Sequence, residues 1–206
     1  MKLTFGRQDR PKPRARGIDW RTLRRPDEEL ALVLAIPLGA SLATAVLVLW
    51  IIATPWANFG MDEWTLIAAF TLAVAAHEIA HTVAFPWFPS RPWIALEWSP
   101  TPLVLRAGYD HELSRDRLLW VHGAPLVFVS LVPLALSAAL GVAPAPVVLV
   151  TLSNALISGA DVLSILLVLG QVPPRCRMLA CDVDMHWQLR TSDGLGMVPA
   201  WRDEAR

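Results

Sequence analysis

His77 and His81 stand four residues apart with Glu78 between them, in the stretch HEIAH. On an α-helix, residues four apart lie one above the other, so two imidazoles share one face, one turn apart. Glu78 is rotated from His81 by about 60° at 3.6 residues per turn. It can lean over whatever the two rings hold without being a ligand. Two imidazoles and an adjacent carboxylate suit hydrolytic zinc chemistry, with the histidines as ligands and the glutamate as general base. Soluble helices often match this pattern by chance. Here it lies inside TLIAAFTLAVAAHEIAHTVAF, an otherwise apolar run. An Asp or Lys at the centre of a membrane helix costs about 2.5–3.5 kcal/mol. One polar residue there could simply bond two helices together, but a His-Glu-His set in metal-ligand spacing suits that role poorly.

A hydrolytic zinc site takes three protein ligands and leaves one position open. Asp161, within NALISGADVL, is the only charged residue of a second long apolar run. Asn154, Ser158 and Asp161 fall at i, i+4 and i+7 and so share one helical face. Gly159 lets another helix approach closely. The plainer role for Asp161 is a helix-helix hydrogen bond or a pair with an arginine. No arginine lies inside any apolar run, so a metal held by His77 and His81 is the more economical partner. Asn154, Ser158 or His122 could hold a developing oxyanion. His122, in WVHGAP, could also contact a substrate, although an interfacial or packing role is the plainer one. Pro125 should kink its helix and open space nearby. His111 and His186 take no role in this reading.

The elements that must carry these residues are legible in composition. Of 206 residues, 54% are hydrophobic, and mean hydropathy is +0.44, too apolar for an ordinary soluble domain. A helix needs about 20 apolar residues to cross a bilayer. Four runs qualify, at about 30–53, 64–85, 118–140 and 146–170, with GVAPAP as the turn between the last two. Asp161 then lies about 13 Å before the inner end of the fourth span, at 1.5 Å per residue. That depth matches His77 and His81 near the inner end of the second.

Orientation follows from basic residues. Nine of the 18 Lys and Arg precede Leu30, four lie between Phe85 and Leu118, and five follow the fourth span. All therefore fall on one side, which the positive-inside rule makes cytoplasmic. Trp50, Trp56 and Trp64 flank the outer loop, and Trp87, Trp93, Trp98 and Trp120 the inner one, as interfacial belts do. The basic arm at 1–28 reads as an orientation signal that touches anionic lipid, and not as a nucleic-acid binder. A cleaved signal peptide is not expected, because the first apolar run starts late and is too long. Cys176 and Cys181 read as plain thiols on the reducing side.

The division expected is a cytoplasmic arm at 1–28, poor in ordered structure, a membrane domain at 29–170 and a cytoplasmic tail at 171–206. The fold class is an all-α membrane protein of four transmembrane helices. RPWIALEWSPTPLVLRAGY, between the second and third spans, has two strand-like runs around SPTP and reads equally as an interfacial β-hairpin or a tryptophan-anchored loop. DVDMHWQL in the tail reads as a short strand and SDGLG as a turn.

HEIAH in a membrane helix, then a hairpin-like loop, a GAP-type helix and N…SGAD in a later span, resembles a zincin peptidase family of small bacterial membrane proteins. That group is similar to the site-2 proteases, which cut transmembrane substrates. The resemblance covers about residues 30–185. It implies that His77, His81 and Asp161 are zinc ligands and that Glu78 is catalytic. Site-2 proteases carry an asparagine upstream of an Asp-Gly ligand motif, and Asn154 before Asp161 is similar. Here no glycine follows the aspartate, and Gly159 precedes it by two residues.

The reading that results is a Zn2+ metallopeptidase of a bacterial plasma membrane. It acts on transmembrane or membrane-proximal protein, with zinc-activated water and Glu78 as base. Non-proteolytic metal binding for regulation or assembly, metal transport and a polar-bonded scaffold are the alternatives. Glu78 discriminates, because a storage or structural site has no use for a carboxylate that is not a ligand.

Overall fold

The computed structural model describes residues 2–5, 20–54, 63–88, 92–97, 104–181 and 184–189. Two strands, β1 (Lys2–Phe5) and β2 (Arg21–Thr22), precede the first long helix, α1 (Glu28–Ala53). Asp27 caps α1, its Oδ1 accepting the Leu30 N–H at 2.8 Å, and Glu28 and Glu29 place negative charge at the positive end of the helix dipole. α2 (Glu63–Ala84) carries HEIAH. It stops just before Phe85 and Pro86, where proline disfavours further helix. Strands β3 (Trp93–Glu97), β4 (Val104–Gly108) and β5 (Leu113–Ser114) follow.

The third apolar run is one rod in three pieces. α3 (Arg115–Pro125) leads into a π-helical segment at Leu126–Leu131, and α4 (Val132–Leu140) continues it. Gly141 closes α4 at φ +65°, a left-handed position that glycine occupies without a Cβ clash. The fourth run is also divided. α5 (Ala145–Ile157) and α6 (Gly159–Gln171) meet at Ser158. Strands β6 (Cys176–Cys181) and β7 (Asp184–Leu189) end the described chain. Four stretches, Glu28–Ala53, Glu63–Ala84, Arg115–Leu140 and Ala145–Gln171, are thus long and apolar enough to cross a membrane. Their outward faces carry Leu32, Ile36, Ile52, Leu66 and Leu140 at half exposure or more, a continuous apolar surface of the kind that water does not tolerate bare.

The mostly helical reading holds, with an addition. The hairpin between the second and third runs is present as β3 and β4, antiparallel from Trp93 opposite Gly108 to Glu97 opposite Val104; its SPTP tip lies outside the described residues. β1 adds to β3 in parallel, giving the order β1-β3-β4. A second sheet, in the order β2-β7-β6-β5, was not expected. The tail strand read from DVDMHWQL is β7, while SDGLG lies outside the described residues. Arm, loop and tail each supply a strand to this sheet, so the chain is not simply all-α. Of the arm expected at 1–28, the described residues include β1, β2 and the first residue of α1; residues 6–19 lie outside the described residues. The partners of β2 and β5 lie far along the chain, and a two-residue strand has no periodicity to read.

Two apolar clusters hold the molecule together. One joins Val46 and Trp50 of α1 to Val148 and Ala155 of α5. The other packs the ends of α2 and α3 onto the second sheet through Ala84, Phe85, Leu118, Val121, Met178 and Trp187. Cys176 is buried among these, and burial holds its thiol above the usual range, which keeps it protonated and inert.

The crossing of α1 and α6 decides where Asp161 stands. A Cβ on Gly159 would lie 2.3 Å from the Ala35 carbonyl oxygen, and one on Gly39 would lie 2.1 Å from that of Leu156. Only glycine permits this approach. At the break, the Ser158 N–H and hydroxyl both donate to the Asn154 carbonyl, at 2.9 and 2.8 Å. A new helix start therefore lies within the apolar layer, and Asp161 sits in its first turn. The positive end of the α6 dipole offsets part of the cost of a buried carboxylate.

Candidate metal centre

α2 presents small residues and histidines on one buried stripe, Ala69, Ala73, His77, Ala80, His81 and Ala84, three or four residues apart as a helix face requires. The alanines let α5 come close, and the two imidazoles fill the gap at the inner end. His77 Nε2 lies 3.1 Å from His81 Nε2 and 3.1 Å from Asp161 Oδ2. His81 Nε2 lies 3.4 Å from Asp161 Oδ1. All three residues are buried, and one ligand atom from each falls within 4.8 Å of the others.

The hydrogen bonds behind the site set the ring tautomers. His81 Nδ1 is 2.9 Å from the Val121 carbonyl oxygen, which can only accept, so Nδ1 carries the proton. His77 Nδ1 is 3.0 Å from Asn154 Oδ1. The orientation of the Asn154 amide is fixed from its other end. Its Nδ2 donates to the Pro125 carbonyl at 3.0 Å and to Ser130 Oγ at 2.8 Å, while the Ser130 hydroxyl itself donates to the Thr151 carbonyl at 2.7 Å. Asn154 Oδ1 is therefore an acceptor, and His77 Nδ1 carries the proton. In the neutral rings both Nε2 atoms are then lone pairs, facing each other and a carboxylate.

Three acceptors this close repel unless a positive charge lies between them, either a metal ion or a proton on one ring nitrogen. Asp161 Oδ2 is buried without a hydrogen-bond donor, which is costly when nothing compensates it. Zinc-nitrogen and zinc-oxygen bonds near 2.0 Å give tetrahedral edges of about 3.3 Å, close to the spacings found. The donor set of two imidazoles and one carboxylate is one that zinc accepts. The residues fit the ion.

His122 stands against the third ligand. Its Nδ1 donates to Asp161 Oδ1 at 2.8 Å. Its Nε2 is buried without a partner, and its ring lies 5.9 Å from that of His81. Each of the three metal-facing residues is thus backed by one polar group, in the manner that orients ligands and tunes their basicity. His122→Ala is expected to weaken zinc binding by about 10–100-fold, measured by competition with a chelator. His122→Asn, whose amide can replace the Nδ1 donor, should recover part of the loss. Unchanged affinity in His122→Ala would show that the contact does not hold the ligand.

Glu78 points from the same turn of α2 toward β4, its Oε2 accepting the Ala107 N–H at 2.6 Å. Among the described residues β4 pairs with β3 alone, and the Ala107 N–H on its other edge meets Glu78. Glu78, His81 and His122 share the wall of one cavity of about 230 Å³.

The structure thus brings together His77, His81, Asp161, Glu78 and His122. It places Asn154 behind His77 and not beside the open side of the site. It places Ser158 one step further back, with its hydroxyl on the Asn154 carbonyl. Pro125, read as a kink, heads the π-helical segment, a device often found at functional sites, and its carbonyl anchors Asn154. Ser130 and Thr151 went unread, and Trp50, read as part of an interfacial belt, is instead fully buried, its Nε1 donating to Thr151 Oγ1 at 2.8 Å. The signal for them was their polarity in apolar runs, with Thr151 three residues before Asn154 on the same face. His111, given no role, lines the cavity and packs on Tyr109 with ring centroids 5.9 Å apart. The Val121 carbonyl and the Ala107 N–H are backbone groups with no sequence signal.

No curated protein and no solved structure matches this chain. The family described as "Putative zincin peptidase" matches residues 70–177, more than half of the 206. The match takes in every residue of the site and the strand that bonds Glu78. The chain belongs to that zincin peptidase family.

Proposed function

We propose that the protein is an integral-membrane zinc metalloendopeptidase that hydrolyses peptide bonds at or within the bilayer. The observation that carries this reading is the juxtaposition of three buried metal-ligand side chains, His77, His81 and Asp161, with a second carboxylate, Glu78, in the wall of the adjoining cavity. His77, His81 and Asp161 would hold zinc, which when bound supplies Lewis acidity toward water and the scissile carbonyl. Glu78 takes the proton of the attacking water and passes it to the leaving amine. Its Oε2 is fixed by Ala107, so Oε1 is the atom free to carry that proton. Asn154 Oδ1 behind His77 and the Val121 carbonyl behind His81 keep both Nε2 atoms directed inward.

A transmembrane substrate has its peptide bonds shielded in a helix and must unwind. The edge of β4 next to Glu78 offers the extended chain a strand to join. This likens the protein to the site-2 proteases in mode of action as well as in motif.

Both termini lie in the cytoplasm of a bacterial cell on this reading, with four crossings of the plasma membrane. The placement of all 18 basic residues supports it, as does the sharing of one sheet by arm, loop and tail, since those segments must then lie on one side. A cysteine introduced at Asn58 should react with an impermeant thiol reagent in intact cells, whereas Cys181, and a cysteine introduced elsewhere in the tail, should react only once the cells are opened; buried Cys176 stays silent either way. Reaction of the tail cysteines in intact cells would overturn this topology.

Metal removal tests the activity. Membranes containing the protein are stripped with a chelator, reloaded with zinc, and compared by mass spectrometry of new N-termini. Cleavages in or beside apolar segments of other membrane proteins should vanish on chelation and return with zinc. If no such termini appear, the metal serves a regulatory or assembly role without proteolysis.

A further inference from the structure

We propose that the tail strands β6 and β7 build a side-chain subsite, and that this subsite selects a large apolar residue next to the bond to be cut. This rests on the metallopeptidase reading and adds the substrate class to it.

The cavity beside the metal centre is open to Glu78, His81 and His122 at one part of its wall. The rest is mainly apolar. Phe85, Leu118 and Val121 come from the ends of α2 and α3, and Met178, Leu179 and Met185 from β6 and β7. All six are buried. The tail thus closes a space that the helices alone would leave open, and this follows from the second sheet, which binds β6 to β5 and β7 to β2.

Size selects the occupant. At about 230 Å³ the cavity is smaller than the 300–1,000 Å³ typical of drug-sized ligands, so it does not take a length of peptide. It exceeds the roughly 150 Å³ of an apolar cavity that binds benzene, so one leucine, phenylalanine or tryptophan side chain fits. Two methionines in the wall adapt to either shape, because the thioether chain is unbranched and polarisable. Glu78 is the only acidic residue of the lining, and a second carboxylate beside it would be repelled. Arg106 and His111 also reach the cavity but are solvent-exposed, so they do not make its interior basic. Continuity with Glu78 and His81 makes the occupant a substrate side chain and not a separate ligand.

Hydroxamates test this without a known substrate, because the hydroxamate group grips an active-site metal and carries its side chain into the neighbouring space. Calorimetry on the full-length, zinc-loaded protein in detergent would compare acetohydroxamate with the N-acetyl hydroxamates of glycine, leucine, phenylalanine and aspartate. The leucine and phenylalanine compounds should bind about ten- to a hundredfold more tightly than the glycine compound, as burial of a large apolar side chain implies. The aspartate compound should gain nothing. Leu179→Gln should remove most of the phenylalanine gain, and Met178→Ala should shift preference toward a naphthylalanine compound, with zinc content confirming that either variant is folded. If acetohydroxamate binds the wild type and not His77→Ala, yet all side chains bind alike or aspartate is preferred, the subsite is wrong and the metal reading stands. If acetohydroxamate does not bind at all, the metal reading fails and takes the subsite with it.

Discussion

Glu78→Gln is expected to keep its zinc and its fold while losing about 10²–10⁴-fold in cleavage rate, the usual worth of a positioned general base. Glutamine has the same shape, and its amide oxygen can still accept the Ala107 N–H that Glu78 Oε2 takes at 2.6 Å. The atom lost is the one that would receive a proton. A partly buried carboxylate is expensive, and neither the His77-His81-Asp161 set nor the packing of α2 requires it. The check is single-turnover cleavage of a protein identified from the chelation experiment, with zinc content and melting temperature measured on the same samples. Equal rates for wild type and variant would remove Glu78 from the mechanism. Loss of zinc in the variant would instead make it part of the metal site.

The second large effect is on the metal itself. His77→Ala, His81→Ala and Asp161→Ala should each abolish stoichiometric zinc, because each deletes one of three ligands, and even residues behind ligands are worth about 10–100-fold in affinity. Asp161→Ala carries an added penalty. It leaves the His122 Nδ1 donor, now at 2.8 Å from Asp161 Oδ1, buried without an acceptor, at a cost of about 1–3 kcal/mol. Asp161→Asn keeps an acceptor and nearly the same volume, so it should restore the stability without restoring the metal. Elemental analysis and thermal melting separate the two effects. Full zinc occupancy in Asp161→Ala would place the third ligand elsewhere and undo the pairing of α2 with α6.

The sequence alone determined what depends on neighbours along the chain or on composition. Two histidines four apart must share a face of any helix, and twenty apolar residues must be helical if they are to cross lipid, because the backbone has no other way to satisfy its polar groups there. Asp161 could be read because a lone charge in an apolar run needs a partner, and the β3-β4 hairpin, as one of two equal readings, because two strand-like runs stand close together in the sequence around SPTP. What only the tertiary structure decided is what stands behind each of these residues. Asn154 was legible as a polar residue on the right face but not as the acceptor for His77, since that role was set by the Pro125 carbonyl and the Ser130 hydroxyl taking its other end. His81 leans on a backbone carbonyl, and Glu78 on a backbone N–H, and every residue carries both groups, so no residue type announces them. The second sheet is of the same kind. Its strands β2 and β5 are two residues long, too short for a period, and they exist because Arg21–Thr22 and Leu113–Ser114 are carried to the edges of a hairpin that forms elsewhere in the chain. Local pattern specifies which face a side chain takes. Which atom meets it there is settled by the packing of segments distant in sequence, through contacts that no single segment encodes.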